Sequence, residues 1–385
     1  MKKILSFILI CVCLLPFNLV KAEELKLAEN AKSAILIEPT TGEIIFEKNS
    51  HEKLHPASMT KMMAMLLIVE AVENGVINWD DIVTVSENAA GMGGSQILLE
   101  VGEQMTVDDL FKGIAVASGN DAVVAMAEKI GGSEAIFVDM MNKRAQELGL
   151  TDTNFKNPHG LDDANHYSSA YDMAMIAREL VKHPKVLEYT SIYEDYLREN
   201  TDRKIWLVNT NKLVRFYSGV DGLKTGYTAS AGYCLTATAK RGNSRFIAVA
   251  MGELDSKTRN QEISEMLDYA FAQYEVEVML SEDSVLETKE VEKGKTKYAE
   301  LVPINEVSFL NKKGLNKKNA SYEIKVENLK APLKHGDIVG TLIIKEESEI
   351  IREVPITVKE DVKKANIFEL YWRHLTDIFK GDVSL

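Results

Sequence analysis

Pro56-Ala57-Ser58-Met59-Thr60-Lys61-Met62-Met63-Ala64-Met65-Leu66-Leu67 joins a helix entrance to an apolar run, with a lysine at the joint. Proline suits the start of a helix. Residues i and i+3 share a helix face, so a helix opening here stands Lys61 beside Ser58. A run this apolar is predicted to be buried and to take Lys61 inside with it, and a buried lysine needs a reason. A serine hydroxyl is a poor nucleophile until a base lies within hydrogen-bonding reach. For Lys61 to be that base near neutral pH, burial and a neighbouring positive charge must lower its pKa from about 10.4. The helix amino end favours an oxyanion and disfavours a charged lysine.

Two further signals follow in order. Ser118-Gly119-Asn120 falls in a break between two helical runs, where a loop can present a hydroxyl and an amide into a cleft. Ser118 is placed to relay a proton between Lys61 and a leaving amine, and Asn120 to hold a substrate amide. Ser-Gly-Asn is also an ordinary turn whose asparagine caps the next helix. Lys224-Thr225-Gly226 follows Val220-Asp221-Gly222 and precedes a strand hairpin. On an edge strand, Lys224 and Thr225 would bind a carboxylate and supply the positive charge Lys61 needs, while Gly226 would let substrate backbone approach. Each signal alone is near chance; three in order are not.

The surrounding pattern is α+β. Ser33 to Glu38 and Glu43 to Glu47 read as strands joined by the Pro39-Thr40-Thr41-Gly42 turn. Helices are expected over Lys61 to Asn74, Val107 to Ala117, Asp121 to Ile130, Glu134 to Leu148, Ser169 to Lys182 and Thr258 to Tyr274. Strands over Tyr233 to Lys240 and Arg245 to Met251 precede the last of these. Strands at both ends with helices between predict one antiparallel sheet, flanked by helices and built from both ends of the region. The methionines of the first helix read as core filler.

Composition shifts near Val276. Short alternating runs at Ser321 to Val326, Ile338 to Ile344 and Ile350 to Val358 predict a small all-β domain over residues 276–360. In residues 361–385, Ile367, Phe368, Tyr371, Leu375, Ile378 and Phe379 share one helical face, with Trp372 beside them. That helix either packs on its own domain or lies in the plane of a membrane surface. Its aromatics and the export signal favour the membrane. At the other end, Lys2 and Lys3, the apolar Ile4 to Leu15 and Val20-Lys21-Ala22 predict a cleaved export signal over residues 1–22.

The chain has 385 residues, so two domains are expected. A net charge of −13 excludes the basic field a nucleic-acid binder needs. Cys11 and Cys13 would leave with the signal, and Cys234 alone makes no internal disulfide. Cys234 reads as a small buried strand residue. His159 and His166 fit no ordinary zinc spacing and have no Cys or paired acidic ligand, so no metal and no cofactor is expected. Asp162 and Asp163 read as solvated loop charge.

The three motifs match the Ser-x-x-Lys, Ser-Asp-Asn and Lys-Thr-Gly set of penicillin-binding proteins and class A β-lactamases. With Asn157-Pro158-His159-Gly160-Leu161, His166-Tyr167-Ser168 and Asp221-Gly222-Leu223 they make residues 28–275 resemble a D-alanyl-D-alanine carboxypeptidase. That is a low-molecular-mass penicillin-binding protein of serine peptidase family S11, with a β-lactamase/transpeptidase-like fold. The β-rich stretch and the tail extend the resemblance over nearly the whole chain. It implies that Ser58 forms an acyl-enzyme with the penultimate D-alanine of a peptidoglycan stem peptide, Lys61 acting as base. Ser118 and Asn120 would assist proton transfer and positioning. Lys224, Thr225 and Gly226 would seat the terminal carboxylate, and the backbone N–H groups of Ser58 and Tyr227 would form the oxyanion hole. It also implies β-lactams as covalent inhibitors, a part in cell-wall biogenesis, and a place at the extracytoplasmic face of a bacterial membrane. Position 227 is often histidine in that family, so a side-chain role does not carry over to Tyr227. A β-lactamase would need a deacylating glutamate, and no Glu-x-x-Leu-Asn stretch supplies one. A D,D-endopeptidase and a wall-binding scaffold without turnover are the other readings.

Overall fold

The computed structural model describes residues 25–315, 320–327, 329–346 and 349–380. The export signal expected over residues 1–22 lies outside the described residues. A five-stranded antiparallel sheet forms the frame, in the order Ile44–Lys48, Ser33–Ile37, Ser244–Glu253, Gly232–Arg241, Val220–Thr228. Its members come from the two ends of the region, as the strand–helix–strand pattern predicts. Lys224-Thr225-Gly226 lies on the free edge strand.

Alternation along each strand divides the interior into two cores. Ile35, Ile37, Ile247, Val249 and Met251 face one layer of helices. Ala34, Leu36, Phe246, Ala248 and Ala250 face the helix Ser256–Gln273 through its Ile263, Met266, Leu267 and Ala270. Both faces of the central strands are covered, which explains their unbroken apolar character. The helix Lys61–Glu73 runs through the first core, every residue from Lys61 to Val69 being buried. Around it pack Val107–Ala117, Asn120–Gly131, Glu134–Glu147 and Ala170–Leu180.

The entrance to the first helix differs from the sequence expectation. Ala57–Thr60 is a 3₁₀ turn, and the α-helix begins only at Lys61. Ala57 has a φ of 46°, a left-handed conformation rare for a residue with a Cβ. Two glycines explain the shape. A Cβ on Gly160 would lie 1.9 Å from the Ala57 carbonyl oxygen, and one on Gly226 would lie 2.6 Å from that of Pro56. The turn is clamped between two backbones, and its tighter winding keeps i and i+3 eclipsed. Ser58 and Lys61 therefore still share a face.

After Gln273 the chain turns into the strand Tyr274–Leu280, paired with Val307–Lys312. A second sheet follows in the order Glu287–Glu290, Tyr298–Pro303, Glu349–Val358, Gly340–Glu346, Ala320–Val326. It has its own apolar core, including Leu301, Val307, Leu342, Ile344 and Ile356. Val276 and Leu310 reach back into the core beneath the helix Ser256–Gln273. The helix Ile367–Lys380 attaches through polar contacts. Arg373 donates to the Gly294 carbonyl at 2.9 Å, and Lys295 pairs with Glu369 at 3.4 Å. Ile367, Phe368, Tyr371, Trp372, Ile378 and Phe379 all remain exposed. Among the described residues, no helix is long and apolar enough to cross a membrane.

Candidate active site

The three motifs converge. Lys61 is fully enclosed, and its Nζ has three neighbours: Ser58 Oγ at 3.0 Å, Asn120 Oδ1 at 2.6 Å and the His159 carbonyl oxygen at 2.7 Å. An amide oxygen and a peptide carbonyl only accept hydrogen bonds. A neutral amine donates twice and keeps one lone pair. Asn120 and His159 take the two donors, which leaves Ser58 O–H facing the lone pair.

Electrostatics favour that neutral form. The Lys61 pKa is held well below the usual lysine value, first by burial and then by the positive charge of Lys224, with Asp121 opposing. Lys224 is also buried, and its pKa is pushed down to about 7 by burial and by Arg259. Its Nζ donates to the Thr225 carbonyl at 3.1 Å. An arriving carboxylate favours the ammonium form, so the same lysine gains charge when an anion is bound.

The middle motif is held by its own neighbours. Ser118 caps the helix Val107–Ala117 in the left-handed region, φ 64°, which turns its hydroxyl inward. Ser118 Oγ is buried and makes no hydrogen bond among the described residues. Asn120 does not cap the next helix; Gly119 occupies that position. Its side chain instead spans from Lys61 to the Gly93 carbonyl, which accepts from Nδ2 at 2.7 Å. A second N–H on Nδ2 stays available for a substrate carbonyl. Next to it, the buried Asp121 carboxylate takes the backbone N–H groups of Ile97, Leu99 and Ala122. That fixes the segment running over the site.

The third motif meets the first directly, since the Gly226 backbone packs on Pro56, Ala57 and Met59. Thr225 donates to Thr210 Oγ1 at 2.7 Å. Tyr227 is 56% exposed and its ring lies 4.3 Å from that of Tyr233, its cross-strand partner, at the rim.

Sequence reasoning did not single out Thr210, Arg259 or the His159 carbonyl, and it quoted Gly160 only within the Asn157–Leu161 stretch, with no role. Arg259, on the helix Ser256–Gln273, reaches the carbonyl of Cys234, which pairs with Gly226 across the sheet. No spacing rule marks it; only the folded sheet brings it near Lys224. Asp162 is exposed, as solvated loop charge should be, but it is not idle. It accepts from Thr228 at 2.7 Å and Ser230 at 2.8 Å, tying the Asn157–His166 loop to the edge strand. Cys234 is buried with its thiol pKa raised by burial, as a structural cysteine should be. Among the described residues no cluster of three or more His, Cys, Asp or Glu could hold a metal ion.

A family profile described as D-alanyl-D-alanine carboxypeptidase matches residues 20–255, and one described as the C-terminal domain of penicillin-binding protein 5 matches residues 274–364. The chain is 52% identical to the D-alanyl-D-alanine carboxypeptidase DacF of Bacillus subtilis, covering 98% of this chain and 99% of that one. Among solved structures, penicillin-binding protein 5 from Haemophilus influenzae superposes with a TM-score of 0.69 at 33% identity, over 89% of this chain and all of that one. Penicillin-binding protein D2 from Listeria monocytogenes, in its ampicillin-bound form, gives 0.57 at 30% identity, over 65% of this chain and 99% of that one.

Proposed function

Since the chain belongs to the D-alanyl-D-alanine carboxypeptidase family, we propose that it removes the terminal D-alanine of peptidoglycan stem peptides through an ester formed on Ser58. The observation that carries this reading is the set of partners around Lys61. Two can only accept from the amine, so in the neutral form that burial favours the one lone pair is left for the hydroxyl proton of the third, Ser58.

The sequence of events follows from that geometry. The substrate carboxylate pairs with Lys224 and with the Thr225 hydroxyl, whose proton turns from Thr210 to the carboxylate while Thr210 donates to Thr225 in its place. Gly226 admits the peptide backbone beside the edge strand. Ser58 Oγ attacks the carbonyl carbon of the penultimate D-alanine while its proton passes to Lys61. The backbone N–H groups of Ser58 and Tyr227 receive the oxyanion. Ser118, buried and with no hydrogen-bond partner of its own, carries a proton onward to the departing amine. The C–N bond breaks and free D-alanine leaves. Water, deprotonated by Lys61, then cleaves the ester and restores the serine. Asn120 keeps the lysine aimed, and its second N–H is directed to the substrate.

A β-lactam presents a carboxylate beside a strained amide, so it takes the same path to a stable adduct. Work on the cell wall places the enzyme outside the cytoplasm, and the exposed apolar face of Ile367–Lys380 suits in-plane attachment to a membrane surface. The test combines a labelled penicillin with D-alanine release from a pentapeptide. The native protein is expected to carry the label at Ser58 and to release D-alanine, and Ser58→Ala to do neither. Label on another residue, or release by the variant, removes Ser58 from the mechanism. Rapid turnover of the penicillin instead of a lasting adduct favours a β-lactamase.

A further inference from the structure

His166 lies outside the three motifs, yet its ring is fixed by two backbone-scale constraints. The amide N–H of Lys156 can only donate, and it points at His166 Nδ1 from 3.0 Å. Nδ1 is therefore the acceptor and Nε2 carries the proton. Nε2 stands 2.7 Å from Thr60 Oγ1, so the ring donates to the residue adjoining Lys61. The His166 carbonyl accepts from His55 at 2.9 Å, and the ring meets Phe155 edge-on. The whole residue is buried.

These bonds pin one loop to one turn. Residues 157–161 carry the His159 carbonyl that accepts from Lys61, and they are folded on themselves. Asn157 accepts from Gly160 N–H at 2.6 Å and donates to the Leu161 carbonyl at 3.0 Å. Gly160 lies against Ala57 and Thr60 so closely that no side chain fits. The loop thus supplies both a hydrogen-bond acceptor for the amine and part of the cover that keeps water from it.

We propose that His166 is a positioning residue for acylation: as the Nε2–H tautomer it fastens the His159–Gly160 loop to Thr60 and so keeps Lys61 dry and aimed at Ser58. The inference rests on the Ser58–Lys61 reading above. A protonated ring would set its Nδ1–H against the Lys156 N–H, donor against donor, so the device works only with neutral imidazole. The surroundings keep it neutral. Burial, then the positive forms of His159 and His55, push its pKa down to about 4, against the opposing pull of Asp163 and Asp162. Across the pH range of the cell wall the ring behaves as a fixed clip, not as a switch.

The experiment follows labelling of Ser58 by a fluorescent penicillin from pH 5 to 9, using the whole chain. The acid limb of this profile reports the pKa of Lys61 in the free enzyme. In His166→Leu the loop loosens, water reaches the amine and the acid limb moves up by about half a pH unit or more. The rate at neutral pH falls about 10-fold as aim is lost. Partial unfolding would scale the profile without moving it, which separates positioning from mere support. His166→Gln offers one acceptor and one donor, and is expected to restore the limb and most of the rate. Thr60→Val, which deletes only the accepting hydroxyl, is expected to shift the limb like the leucine variant and decides the matter if that variant does not fold. A limb left at the native position in Thr60→Val, or in a folded His166→Leu, overturns the proposal. So does His166→Gln behaving like His166→Leu. If the native protein takes no label, the Ser58–Lys61 reading fails first.

Discussion

Residues 25–273 and residues 274–380 place their costly groups in opposite ways. The first region encloses Lys61, Lys224, Asn120, Asp121, His166 and Arg259, all buried. Among its described residues the second encloses no charged side chain so fully, Arg352 being only partly buried, and it leaves apolar side chains outside, Phe379 being 87% and Trp372 66% exposed. Burying an amine costs several kcal/mol unless it is partnered or uncharged, and exposing an aromatic face forgoes burial worth about 25 cal/mol per Å². Neither arrangement serves folding. On the function proposed above, the expense in the first region serves reactivity, and in the second it leaves a surface for something else to cover. The comparison is sharpest at Lys61, where Lys61→Ala is expected to lower penicillin acylation about 10³-fold by removing the base. The melting temperature should hold or rise, because a desolvated amine is lost from the core. In the native protein, acylation should climb with pH through the depressed pKa of Lys61. Acylation within about 10-fold of native in the variant would deny the base role and with it the contrast between the regions.

The difference also decides what could be read without coordinates. Ser58 and Lys61 are three residues apart, and the apolar run after them announces burial, so the first motif was open to local reasoning. The sheet was legible because its strands alternate and occur at both ends of the region. What stayed hidden depends on contacts between distant segments. Gly160 looks like one loop glycine among many until its Cα is set against Ala57. Thr210 becomes relevant only when the strand of Thr225 passes it. Asp162 stays solvated, as read, and only the fold adds Thr228 and Ser230 as its partners. In the second region the pairs Tyr274–Leu280 with Val307–Lys312 and Glu287–Glu290 with Tyr298–Pro303 were missed, because Val307–Lys312 is buried on both faces and Glu287–Glu290 is polar throughout, so neither alternates. The hairpin of Glu194–Leu197 and Ile205–Val208 escaped because strands of four residues are too short for a period to show.

A second prediction asks whether every buried group in the first region serves the chemistry. Glu253 is 1% exposed, and its oxygens receive no donor from the described protein. Burial, and then the Glu262 carboxylate beside it, raise its pKa to about 8. Glu262 is occupied with the N–H groups of Asn30 and Ala31. A proton on Glu253 lets it donate to Glu262 and staple the helix Ser256–Gln273 to the strand Ser244–Glu253. The unfolded chain loses that proton near pH 4.3, the folded chain only near 8. Between those values the folded state binds more protons, so this pair's contribution to stability falls as pH rises and levels off above about 8. Glu253→Gln is always neutral and should remove that slope. Relative to the native protein it should gain about 1–3 kcal/mol between pH 5 and pH 8.5, with penicillin acylation unaltered. Denaturant melts at the two pH values decide it, and a slope unchanged by the substitution would mean that Glu253 is ionised in the fold.

The smallest expected effect on the chemistry comes from the second region. Removing residues from Asn366 onward deletes the helix Ile367–Lys380 and breaks its polar ties, Arg373 to Gly294 and Glu369 to Lys295, along with the half-buried contacts of Leu370 and Leu375. No side chain of the catalytic motifs touches that helix in any hydrogen bond or ion pair described above. Acylation of the truncated protein by labelled penicillin should therefore stay within about two-fold of native, since packing distant from the site couples weakly. Co-sedimentation with phospholipid vesicles should behave differently: bound for the chain without residues 1–22, free when residues from Asn366 onward are also removed. If the truncated protein still sediments, the exposed Phe368, Trp372 and Phe379 are not the attachment. If it loses acylation instead, the two regions are coupled, and the polarity contrast does not mark a division of labour.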